Sequence, residues 1–442
     1  MGDWNRRATL SAFGASLAAA GVARAQSGPG DMRINAARLK ATLIGLSAFG
    51  RPEGGDFSAG VSRYAYSEAD LAGRAYAIGL IRAAGATPRI DAAGNIWARR
   101  EGRVPDLKPL AVGSHIDSVP HGGNFDGALG SMAAIEILRT LNAENVTLRH
   151  PLEVVLWSNE EGGTIGSGLA AGILPPQATL DVVMNGIRRR EGLKRIGGDP
   201  DHIADARLAK GSLAAYLELH IEQSDLLEKA AVDIGVVDGI VAIDEYDIDI
   251  VGVANHAGTT PMADRRNALL AAARLIEAVQ EEVTRLPGQQ VGTVGQIEAS
   301  PNVRNIVPGR VRMSLELRDL DAAKIAEIAT RIRKRAEAIA ASTGTEIAIS
   351  ATDRDPPALT DPRLQKVFEA SAAALGLSTL HLPSGAGHDA ASMSAICPMA
   401  MIFVPSVGGV SHSPRELTTW EDCARGADVL LQSLLRADRM AI

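Results

Sequence analysis

The chain has 442 residues, enough for two or three domains with ample core. With 46% hydrophobic and 22% charged residues its composition is that of an ordinary soluble protein, and a net charge of -7 argues against nucleic acid or an anionic membrane as partner, because phosphate binding needs concentrated positive charge. Two cysteines, Cys397 and Cys423, are too few for a disulfide framework or a thiolate metal site.

The amino terminus reads as an export signal. Arg6-Arg7 precedes an apolar, alanine-rich run from Leu10 to Val22, which ends in Ala23-Arg24-Ala25. A basic start, a short apolar stretch and an Ala-x-Ala end form a signal peptide, too short to span a membrane stably, and the arginine pair resembles the twin-arginine signal. Residues 1–25 are therefore expected to be removed after Ala25 and the protein to be periplasmic or otherwise exported.

Arg33 to Ala48 and Ser67 to Ala84 carry apolar residues at helical spacing, the second capped by Ser67 with Glu68 and Asp70 in its first turn. Thr87 to Trp97, broken at Ala93-Gly94-Asn95, predicts a hairpin. Leu110 to Val112 and Leu152 to Trp157 read as buried strands, with a helix from Ala128 to Leu141 between them. Arg188-Arg189-Arg190 is the one notable basic run and reads as a solvated surface turn. Strands alternating with helices predict an α/β domain, a mainly parallel sheet with helices on both faces.

Near Gly235 the pattern changes. Val241 to Gly252, Val291 to Ile297, Arg310 to Leu317 and Thr345 to Ser350 predict strands, and Arg266 to Thr284 and Ala322 to Ser342 helices. That β-α-β-β-α-β order marks a compact two-layer α+β insert. The domain plan is a first catalytic part over 33–234, an insert over 235–352 and a second catalytic part over 353–442. The last part holds a helix from Leu364 to Leu375, a strand from Met399 to Val404 and a closing helix from Cys423 to Arg436.

The candidate chemistry starts in the glycine-rich stretch Gly113 to Gly130, with His115 and Asp117 after an apolar run and Asp126 in the following loop. Glu160-Glu161 follow the next strand, His220 lies in Glu218-Leu219-His220-Ile221-Glu222-Gln223, and His412 in Gly408-Gly409-Val410-Ser411-His412-Ser413-Pro414. Imidazole and carboxylate suit divalent cations, and a pair of cations needs a bridging carboxylate, which Asp126 could supply. Neighbouring side chains diverge, so Glu161 is the metal ligand and Glu160 the general base facing the attacking water. Zinc, manganese, cobalt and nickel all accept such ligands.

On these motifs, from about Arg33 to Arg436, the chain resembles the dinuclear-metal amidohydrolases that group N-carbamoyl-L-amino-acid hydrolases with β-ureidopropionases and allantoate amidohydrolases, related to aminoacylase-type metallopeptidases. The resemblance implies two divalent ions, zinc foremost, one held by His115 and His220, the other by Glu161 and His412, with Asp126 bridging and Asp117 orienting His115. It makes the insert a lid and dimerisation domain, and hence the protein a homodimer. His256, in Asn255-His256-Ala257-Gly258-Thr259-Thr260-Pro261-Met262, becomes an oxyanion donor. Asn305 and Arg318 become ligands of the substrate carboxylate, with Gln223 and His388 as further contacts. Glu316 and Asn267 stand where the family often has Asp.

The implied reaction is hydrolysis of the carbamoyl C–N bond of an N-carbamoyl-L-amino acid, a small ureido carboxylate, to amino acid, carbon dioxide and ammonia. His220 with Glu222 and Gln223, where related peptidases and aminoacylases place an acidic ligand, favours ureido substrates over acyl or peptide ones. Allantoate and β-ureidopropionate are the alternatives within the class. A non-catalytic exported binding protein is the alternative outside it, disfavoured because a pure binder has no need of a base at Glu160.

Overall fold

The computed structural model describes residues 32–440; the expected signal segment lies outside them. Among the described residues no helix is long and apolar enough to cross a membrane.

Four strands run parallel at the centre of a nine-stranded sheet, in the spatial order Leu152–Trp157, Leu110–His115, Ala215–Ile221 and Met399–Val404. Every residue in these four strands is buried, as expected where both faces are covered. Alternate side chains enter different cores. Leu110, Val112, Val154 and Leu156 pack under the helices Ala36–Leu46, Ala128–Ala143, Pro362–Ala374 and Trp420–Ala437. Ala111, Val155, Trp157, Tyr216 and Phe403 pack on the other side with Ile165–Ala171 and Asp389–Met393. The predicted cap is present, Ser67 Oγ accepting the Asp70 N–H at 3.1 Å.

The expected parallel sheet thus describes the centre, while the strands that border it run antiparallel to it, and Thr379–Ser384 pairs in parallel with one of them, Ile234–Ile240. On one side stands the predicted hairpin, Thr87–Ile90 with Ile96–Arg100. On the other, Ile234–Ile240 runs antiparallel to Met399–Val404 and leads the chain out into the insert. The chain returns at Ala358–Leu359, which pairs back onto Ile234–Ile240.

Between these points Ala242–Val251, Arg310–Asp319 and Glu346–Asp355 form the body of an antiparallel sheet. Helices Ala268–Arg285 and Ala322–Thr343 close one face over Tyr246, Ile248, Leu275, Val311, Leu315 and Ile328, a core separate from the first. The single strand expected from Val291 to Ile297 is two, Val291–Thr293 and Ile297–Ser300, both paired with Arg310–Asp319. The basic run also differs from expectation. Arg188 and Arg190 pair with Asp181 and Asp201 at the surface, but Arg189 is buried and donates to the Thr179 carbonyl at 2.9 Å. Cys397 and Cys423 are both buried and unbonded.

Because the central strands are parallel, their carboxyl ends lie on one edge. His115 stands level with Trp157, and Val404 with Ile221. The loops that follow therefore converge where ligands collect in such sheets.

Candidate metal centre

His115 closes its strand and His220 lies inside the neighbouring one; both are buried. Each ring is fixed through Nδ1. That atom lies 3.0 Å from the Asp117 carbonyl in His115 and 2.9 Å from the Ile221 carbonyl in His220. A carbonyl only accepts, so Nδ1 carries the proton and Nε2 presents a lone pair. Gly127 agrees, donating its N–H to His220 Nε2 at 3.1 Å.

Asp126 faces both lone pairs. Its Oδ1 is 3.4 Å from His115 Nε2 and 3.2 Å from His220 Nε2, while its Oδ2 is 3.6 Å from His412 Nε2, which in turn is 3.5 Å from Glu161 Oε2. Donors on a tetrahedral ion with bonds of about 2.0–2.1 Å stand roughly 3.3 Å apart. Lone pairs and a carboxylate turned on one another at that spacing repel unless a proton or a metal cation sits between them. Two trios result, His115–Asp126–His220 and Asp126–Glu161–His412, sharing Asp126 through different oxygens. The donor set fits two divalent ions.

The charges agree with the geometry. Burial, reinforced by Asp126, pushes the Glu161 carboxyl up to about 8. Glu160 is raised well above the usual carboxylate range by burial, with Asp389, Glu161 and Asp126 adding to the push. Burial would raise Asp126 too, but His220 and His115 outweigh it and hold it well below that range. The carboxylates outnumber the positive charge available, an imbalance that divalent cations relieve.

Asp117 does more than expected, and by another route. Its carbonyl takes the hydrogen bond from His115, whose Nδ1 also lies 3.8 Å from the Asp117 carboxylate; that carboxylate accepts the backbone N–H groups of Glu160 and Glu161, both at 3.2 Å. One residue thus sets the histidine and both glutamates. Glu160 Oε2 lies 3.6 Å from His115 Nε2.

A cleft of about 270 Å³ opens over the trios, and Arg318, Gln223 and His388 line it together with Glu160. Arg318 reaches in from the second sheet, donating to the Gly385 carbonyl at 2.6 Å and to Glu316 at 2.7 Å. Gln223 donates to Asp126 Oδ2 at 2.6 Å, so it steadies the shared carboxylate as well as facing the cleft. His388 is buried with its ring 4.5 Å from that of His220 and its Nε2 2.9 Å from Ser384 Oγ. His256 and Asn305 are not brought to the cleft within one chain. They are exposed beside the short ladder of Asn255–His256 with Ile306–Val307, where His256 Nδ1 accepts the Gly258 N–H at 3.0 Å. A larger hollow of about 380 Å³ on the second sheet, around Asp247, Arg312 and Ser350, gathers no comparable ligand set.

Residues 111–436 match the family model described as peptidase family M20/M25/M40. The chain belongs to that family. It is 40% identical over 406 residues to the N-carbamoyl-L-amino acid amidohydrolase of Geobacillus stearothermophilus, which covers 91% of this chain and 98% of the relative. Identity to the ureidoglycolate hydrolase of Arabidopsis thaliana is 34%, over 92% of this chain and 87% of that one. Among solved structures, an amidase of the hydantoinase/carbamoylase family from Burkholderia multivorans superposes with a TM-score of 0.86 at 35% identity, covering 93% of this chain and all of the other. This M20 member is accordingly a hydrolase of carbon–nitrogen bonds, of a family that uses divalent metals.

Two further residues of the M20 site were not legible as functional. Glu218, fully buried beneath His220, accepts from Ser114 Oγ at 2.7 Å, Tyr216 Oη at 3.1 Å and the Ala390 N–H at 3.1 Å. It lies two residues before His220, so strand periodicity puts both on one face and could have flagged it. Gly127 has φ 59°, and a Cβ there would lie 2.2 Å from His115 Nε2, so only glycine leaves that nitrogen free.

Proposed function

We propose that the chain hydrolyses the carbamoyl C–N bond of N-carbamoyl-L-amino acids, with two divalent ions, zinc foremost, held by His115, His220, Asp126, Glu161 and His412. The observation that carries this is the entry of Arg318 into the same small cleft as the two trios and Glu160. A guanidinium suited to a carboxylate stands close to a hydrolytic centre, which fits a small ureido acid better than a polymer. The names of the Geobacillus and Arabidopsis relatives, both acting on ureido compounds, support it.

When bound, the ions polarise the carbamoyl oxygen and lower the pKa of a water. Glu160 takes the proton of the attacking water and delivers it to the departing ammonia. The carbamate left behind decomposes to carbon dioxide and the free amino acid. Arg318 holds the carboxylate. His388, kept well below the usual histidine range by burial and by His220, stays uncharged and offers a neutral ring beside the reacting group.

The insert acts as lid and dimerisation domain, and its movement or a second copy brings His256 and Asn305 to the substrate. Exposed Met262, Leu269, Leu270 and Val303 near that ladder support a partner surface. The amino-terminal signal exports the protein, to the periplasm or beyond. The cleft, of about 270 Å³, favours compact substrates of the class, ureidoglycolate among them, over bulky ones.

Arg318→Gln is the test of substrate placement. Losing a charge-assisted hydrogen bond of about 1.5–3 kcal/mol lowers kcat/KM for the carboxylate substrate by roughly 10- to 100-fold. The same variant should barely affect the corresponding carboxamide, already a poor substrate of the unmodified protein. Equal losses on both would remove Arg318 from carboxylate binding.

A further inference from the structure

The loops that carry Asp126 and His412 are fastened together by one side chain. Glu416 is buried, and its Oε1 accepts the backbone N–H groups of Phe125 at 2.9 Å and of Asp126 at 3.1 Å. Its Oε2 stands 3.0 Å from Ser411 Oγ, which stands 3.1 Å from Asp126 Oδ2. The serine has one hydroxyl hydrogen for two carboxylate acceptors, so it ties the His412 loop to Glu416 or to Asp126 whichever it serves. The carboxylate has room because residue 123 is glycine: a Cβ there would lie 2.1 Å from Glu416 Oε1.

The two trios depend on this buckle unequally. His115 and His220 belong to adjacent central strands, each ring already pinned through Nδ1. His412 is half-exposed, in a loop where Gly408, Gly409 and His412 itself have φ of 63°, 65° and 51°. Such a loop has no ladder to hold it, and a histidine in the left-handed region needs its neighbours to keep it there.

We propose that Glu416 is a positioning residue for the second half of the centre: it sets Asp126 Oδ2 against His412 and is required for tight binding of the ion at Asp126–Glu161–His412, but not of the ion at His115–Asp126–His220. This rests on the two-ion reading above. Glu416 touches neither substrate nor ion. Its effect passes through the Asp126 backbone and Ser411.

The experiment is calorimetric titration of zinc into the metal-free full chain and its variants, with the thermal midpoint of each metal-free protein measured alongside. The unmodified chain takes up two equivalents. Glu416→Ala binds the first as tightly as the unmodified chain and the second roughly 10- to 100-fold more weakly, the usual scale for removing a group that orients a ligand. Glu416→Gln restores the second ion, because its amide oxygen accepts the same two N–H groups and its NH₂ reaches Ser411. If Glu416→Ala does not fold, Ser411→Ala carries the test, with the second ion selectively weakened. Two ions bound with unchanged affinity in the variant tested, or equal weakening of both, would overturn the proposal. A single equivalent in the unmodified chain would overturn the two-ion reading itself, and the proposal with it.

Discussion

Glu160→Gln is expected to lower kcat by roughly 10²- to 10⁴-fold, the usual contribution of a positioned general base, with both ions still bound. The amide keeps the shape of the side chain and leaves the backbone N–H on Asp117, so Glu161 and His115 stay in place. What is lost is the basic oxygen 3.6 Å from His115 Nε2. Burial holds the Glu160 carboxyl above its usual range, so it is protonated at acidic pH and turnover rises as pH climbs and the carboxylate forms. That acid limb should vanish in the variant. Wild-type turnover in Glu160→Gln with full metal content would remove Glu160 as the base.

Asp126→Asn is expected to abolish turnover by a different route. One oxygen of Asp126 serves the buried histidines and the other serves His412, so replacing Oδ2 or Oδ1 with an NH₂ leaves one trio without its shared ligand. The substitution also removes a negative charge that two imidazoles hold well below the usual carboxylate range. Metal analysis should find no more than one ion per chain, against two in the parent. Two ions retained with normal affinity would mean that Asp126 is not the bridge.

Much of this was legible in the sequence, for identifiable reasons. Met399–Val404 is an uninterrupted apolar run and Leu152–Trp157 is broken only by Glu153, because both faces are covered, and such runs show their boundaries plainly. His220 was harder. Its strand carries Glu218 and His220 on one face with Glu222 just beyond its end, a pattern that reads as a wet surface, yet all three are buried: Glu218 braces the site and Glu222 accepts the Leu226 and Leu227 N–H groups. Arg189 misled for a related reason: a run of three arginines looks solvated, but the middle one is buried and donates to the Thr179 carbonyl. The Asp117 carbonyl contact is a matter of backbone path and leaves no mark on side-chain type. Glu416 lies only four residues beyond His412, but its role depends on a loop from the other end of the chain. His256 and Asn305 stand exposed at their short ladder, away from the cleft, a matter of tertiary placement that local pattern does not encode.

The most direct test is ammonia release by the purified, metal-reconstituted protein from N-carbamoyl-L-amino acids, ureidoglycolate, allantoate and β-ureidopropionate, run beside N-acetyl amino acids and dipeptides assayed for free amine. Turnover confined to the ureido acids, abolished by a chelator and restored by added metal, is the result predicted. Cleavage of only the acetyl or peptide substrates would contradict it.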